Sequence, residues 1–100
     1  MDETSIKKIK EQYNTDYIVI DKRKKILYSS KDIGNRIRAE VNKLIHDEHL
    51  SLARGNFLSV NNKLTIQDKY YYLKLDCCSV IIYNIHNEEK VLNYILNKFN

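Results

Sequence analysis

The segment His46-Asp47-Glu48-His49 sets two imidazoles three residues apart, so a helix would carry both on one face, where they could share a metal ion. Two ligands leave a tetrahedral site half empty, and no spacing calls in a third. His46 and His49 are therefore the candidate pair, with solvation at a polar helix end as the expectation and no metal site assigned. Cys77 or Cys78 with His86 could mimic a thiol and its base, but all three fall where a strand and its end are expected. There is no Gly-Lys-Ser/Thr loop and no Gly-x-Ser-x-Gly elbow, and only two glycines could shape a phosphate cradle. No catalytic residue is assigned, and the chain is expected not to be an enzyme. Tyr70-Tyr71-Tyr72 could stack bases and Lys22 to Lys25 could grip phosphate. Strand alternation splits the tyrosines between two faces, and the basic cluster reads as a solvated turn, so direct nucleic-acid binding is disfavoured.

These groups must be positioned by one domain, because 100 residues support a single core. With 43% hydrophobic and 30% charged residues, and eight tyrosines, the chain reads as globular. The formal charge of +4 is spread evenly, 11 basic against 9 acidic residues in the first half and 6 against 4 in the second. No apolar run approaches the roughly 20 residues of a membrane span and no cleavable signal pattern follows Met1, so no membrane association and a cytoplasmic location are expected. Cys77 and Cys78 are expected to be reduced packing residues pointing to opposite faces of a strand.

Ile6, Ile9 and Tyr13 recur at helical spacing and predict an amphipathic helix over Thr4 to Tyr13, within an N-terminal segment 1–15. Tyr17 to Ile20 and Ile26 to Tyr28 predict a hairpin around the charged turn Asp21 to Lys25. From Lys31 to about Leu52, Ile33, Ile37, Val41, Leu44 and Ile45 predict one or two helices, with Arg54-Gly55-Asn56 as the stop. Strands follow over Phe57–Val60, Lys63–Ile66, Tyr70–Leu75 and Ser79–Ile85, with turns at Asn61-Asn62 and Asp68. Asn87 then caps a final helix that starts with Glu88 and Glu89 and carries the stripe Val91, Leu92, Ile95, Leu96 and Phe99. This order predicts an α+β fold: a single antiparallel sheet of about five strands, helices on one face, and flanking N- and C-terminal helices.

The stretch "DYIVIDKRKKILYSS" resembles the opening hairpin of PAS domains, and "YYYLKLDCCSVIIYNIHNEEK" resembles their close. In the latter, Asn84-Ile85-His86 stands where an Asp-Ile-Thr triplet commonly precedes a helix to the next module. The likeness runs from Asp16 to Glu89. It implies a PAS-like core at 16–87 and a C-terminal helix at 88–100 that could begin a signalling linker. It also implies a sensory and dimerisation domain of a bacterial signalling or transcription regulator, working with an output domain or regulatory partner protein. A ligand would sit between sheet and helices: haem through a helical histidine, or a small organic molecule, with no cofactor required by the sequence. Flavin adduct chemistry is disfavoured, since the helical middle holds no cysteine.

Periodicity and the family layout together nominate Ile18, Ile20, Tyr28, Ile37, Val41, Leu44, Phe57, Tyr72 and Ile82 as pocket lining. A homodimer is expected, with Ile6, Ile9, Tyr13, Val91, Ile95 and Phe99 as interface candidates, although these terminal stripes could equally cover the domain's own sheet. Two other readings stand beside the sensor. One is a small basic nucleic-acid-binding protein using Lys22 to Lys25 and the tyrosines. The other is a ligand-free protein-interaction module of profilin-like or longin-like layout, with a filled core.

Overall fold

The computed structural model describes residues 2–46, 52–61 and 64–99, with the backbone alone over 52–61 and 64–68. The elements run α1 (Glu3–Tyr13), β1 (Asp16–Ile20), β2 (Ile26–Ser29), α2 (Asn35–Ile45), β3 (Leu52–Asn61), β4 (Leu64–Lys74), β5 (Ser79–Tyr83) and α3 (Glu88–Phe99). The strands form one sheet in the order β2-β1-β5-β4-β3, and every neighbouring pair is antiparallel. The α+β class with a single antiparallel sheet is therefore what the chain adopts.

Local chemistry sets the boundaries. The Asp2 carboxylate accepts from Thr4 N–H at 3.1 Å and from the Ser5 hydroxyl at 3.0 Å, which caps α1. Asn14, in the left-handed region at φ 48°, ends it, and Thr15 N–H returns to the Ile9 carbonyl at 3.2 Å. Between β1 and β2, Asp21 organises the turn: one carboxylate oxygen accepts from Arg23 N–H at 2.8 Å and Lys25 N–H at 2.9 Å, and Lys24 takes a positive φ of 66°. The Asn87 carbonyl accepts the first bond of α3 from Val91 N–H at 3.0 Å.

Three expectations of local structure are corrected. The middle helix is shorter than Lys31 to Leu52: it starts after Gly34, a residue accepted at N-caps, and spans 11 residues. Gly55 does not stop a helix. It lies inside β3 directly opposite Tyr70, and a cross-strand aromatic can cover the gap a strand glycine leaves. Asp68 makes no turn either, because β4 continues through it with Asp68 paired to Phe57; continuous pairing with β3 overrides its low strand propensity.

All five residues of β1 are buried, and so are four of the five of β5, so these central strands need cover on both faces. On one face α2 places Val41 and Ile45, with Ile37 and Leu44 beside them, over Ile18, Ile20, Tyr70, Tyr72, Ile81 and Tyr83. On the other, α1 and α3 place Ile6, Ile9, Val91 and Ile95 over Tyr17, Val19, Tyr71, Leu73, Val80 and Ile82. The expected one-face covering is thus corrected to helices on both faces. The terminal helices are tied to each other as well: Tyr94 Oη donates to the Ser5 carbonyl at 2.7 Å, and its ring lies 5.3 Å from Tyr13, tilted by 43°, and edge-on at 6.2 Å from Phe99.

Candidate functional site

Two features gather polar and reactive groups. The first is a cavity of about 220 Å³ where the β1–β2 turn, the end of α2 and the β4–β5 connection meet. Its floor is Ile20, Ile45, Tyr72, Leu75 and Cys78, all buried, and its rim carries Lys22, Lys24, Lys74, Asp21, Asp76 and Ser79. The Tyr72 hydroxyl and Ser79 Oγ lie 3.2 Å apart in that wall. The β4–β5 connection is closed by Leu75 N–H donating to the Cys78 carbonyl at 2.8 Å. This tight turn corrects the expectation for the cysteines: they sit outside a strand, so they do not diverge to opposite faces, and their sulfurs are 3.2 Å apart. Cys77 is exposed and Cys78 buried; burial first, and the adjacent Cys77 sulfur second, push the Cys78 thiol up to about 12.

The second feature is the carboxylate of Asp16, 1% exposed at the start of β1. Ser30 Oγ donates to one of its oxygens at 2.8 Å and Asn84 Nδ2 to the other at 3.1 Å. Lys10 Nζ from α1 stands 3.1 Å away and Lys31 Nζ 3.4 Å away. Burial alone raises the pKa of this group, but the hydrogen bonds from Ser30, Asn84 and Lys10, with the Lys31 charge, outweigh it and hold the acid at about 2. The hub joins α1, β1 and the ends of β2 and β5, which makes it a structural clamp. Asn84, noted in sequence only as a departure from the PAS triplet, is the residue that closes it, at a positive φ of 53°.

Of the pocket candidates, Ile18, Ile20, Val41 and Tyr72 do belong to the core under α2, with Ile37 and Leu44 packed against it, and Ile20 and Tyr72 also line the cavity. Tyr28 and Ile82 are corrected. Tyr28 is exposed on the edge strand and pairs with Val19, a residue of the opposite face. Ile82 pairs with Tyr17 and Tyr71 and so shares their face, under α1 and α3. The side chain of Phe57 lies outside the described residues. Of the dimer-interface candidates, Ile6, Ile9, Val91 and Ile95 are corrected: they have no exposed surface because the chain's own sheet consumes their stripes. Tyr13 and Phe99 keep part of their surface exposed beside Tyr94.

His46 is exposed at the end of α2, with Nδ1 2.7 Å from the Asn42 carbonyl, and His49 lies outside the described residues. Among the described residues no group of three or more His, Cys, Asp or Glu side chains could hold a metal ion. Tyr70, Tyr71 and Tyr72 are all buried, two under α2 and one under the terminal helices, which leaves no ring face for a base. Lys22 to Lys25 are exposed around the Asp21 turn. What sequence reasoning missed is that this turn, together with Lys74, rims a cavity. Residues 22 and 74 are far apart in sequence, and only the β1–β5–β4 pairing brings them to one end of the sheet. No described helix is long and apolar enough to cross a membrane. Comparison with protein-family models, with curated proteins and with solved structures found no match.

Proposed function

We propose that the chain is a non-catalytic homodimerising interaction module, with the helix-covered antiparallel sheet of a profilin-like or longin-like layout. The observation that carries this reading is the contrast between the two sheet edges. β2 is four residues long, its pairing slips between Val19 and Ile20, and lysines flank its start. Short length, a bulge and charge are the devices that protect an edge from pairing. β3 is neither short nor bulged. It runs ten residues in unbroken register with β4, contains no proline and a single charged residue, Arg54, and among the described residues no strand lies on its outer side. Such an edge is a template for another strand, and two copies related by a two-fold axis pair antiparallel.

The test is native mass spectrometry at micromolar concentration on the wild type and on Asn56→Pro and Phe57→Pro. Adjacent residues of a strand direct their N–H groups to opposite sides, so one of the two prolines removes an outward donor and the other a bond to β4. A wild-type dimer with one folded, monomeric proline variant is the expected result. A wild type that stays monomeric, or two folded variants that stay dimeric, would remove the edge from the proposal.

The PAS-like sensory reading, as the input part of a larger regulator, is favoured by one observation, the cavity over Ile20 and Tyr72. It adds a ligand to the dimer and leaves the edge argument unchanged.

A further inference from the structure

We infer that the cavity between the β1–β2 turn and the β4–β5 turn is a binding site for a small monoanionic amphiphile, a carboxylate on a short apolar body. The inference deepens the sensory reading and is independent of the dimer. The floor selects the body: Ile20, Ile45, Tyr72 and Leu75 present buried apolar surface that water satisfies poorly. The rim selects the head. Among the described residues of the rim, Lys22, Lys24 and Lys74 stand with Asp21 and Asp76, a formal charge of +1 that suits a single anionic head. Asp21 is held in the turn by the backbone N–H groups of Arg23 and Lys25, which keeps its carboxylate directed at the backbone. The volume of about 220 Å³ lies below the roughly 300–1,000 Å³ of drug-sized sites, which limits the guest to a short chain or a single ring. A nucleotide is too large and too highly charged for this combination, and a wholly apolar guest makes no use of the lysines.

The cavity also couples three elements, since Ile20 belongs to β1, Ile45 to the last turn of α2 and Tyr72 to β4. A guest would therefore contact α2, which among the described residues is the helix on this face of the sheet.

The experiment is a titration of isotope-labelled protein with hexanoate and, separately, with 1-hexanol, followed by amide chemical shifts. Expected are saturable shifts at millimolar hexanoate confined to residues around Ile20 to Lys25, Ile45 and Leu75 to Ser79, with hexanol weaker. Replacing Lys22 and Lys74 by Gln and Lys24 by Asn should weaken hexanoate about threefold or more without changing hexanol, as expected for screened surface charges. Raising the salt concentration should do the same to the wild type. Hexanol binding as tightly as hexanoate would overturn the anion selectivity, and absent or scattered shifts would overturn the site. If the triple variant loses its fold, the salt titration of the wild type decides. Native mass spectra of the same samples report the dimer separately, so loss of the ligand site and loss of the dimer read out independently.

Discussion

Asp16 keeps its charge with almost no solvent contact because four side chains supply what water would. A carboxyl held at about 2, against 3.8 when unperturbed, stabilises the fold fully above the unfolded value and loses that contribution as pH falls from about 4 towards about 2. The shift corresponds to about 2 kcal/mol. Asp16→Asn should therefore lower stability by about that amount at neutral pH in denaturant titrations. The variant should also lack the part of the wild-type acid transition that falls between those pH values; an unchanged acid limb would show that other carboxylates carry it. The cysteines give a second test at this scale. Cys77 should react with iodoacetamide in the native state, while Cys78, buried and with its thiol pushed up to about 12, should react only after unfolding. Peptide mass mapping distinguishes the two, and native labelling of both would contradict the turn geometry.

At the scale of elements, the terminal helices act as part of the core. Ile95 is fully buried, so Ile95→Asp should unfold the chain, leaving no folded monomer to observe, and circular dichroism separates these outcomes. Truncating Ile18→Ala under α2 should cost about 2–5 kcal/mol, since the site is closed on every side. Tyr94→Phe removes one hydrogen bond between α3 and α1 and should cost about 1 kcal/mol, leaving the Ser5 carbonyl to water at a half-buried site. The aromatic contacts of Tyr94 with Tyr13 and Phe99 survive that change, which is why the loss stays small.

For the molecule as a whole, the two edges differ: β2 is short with a slip in its pairing, while β3 runs ten residues in unbroken register with β4 and, among the described residues, has no strand on its outer side. The cavity belongs to the end of the sheet formed by the β1–β2 and β4–β5 connections, so neutralising its lysines should leave the oligomeric state unchanged. What the sequence alone determined was what local periodicity and strong caps decide. The β1–β2 hairpin with its Asp21 turn, the three helices and the split of Tyr71 from Tyr70 and Tyr72 follow from turn composition and from spacings of two or near four, and these are found. Gly55 and Asp68 misled because their strand conformation is imposed by pairing across a hairpin, a non-local term that propensity does not contain. The face of Ile82, the burial of the terminal stripes and the meeting of Lys22 with Lys74 depended on strand order and on which side each helix crossed. Those choices came only with the tertiary structure, because an apolar stripe records that a residue must be buried without recording against what.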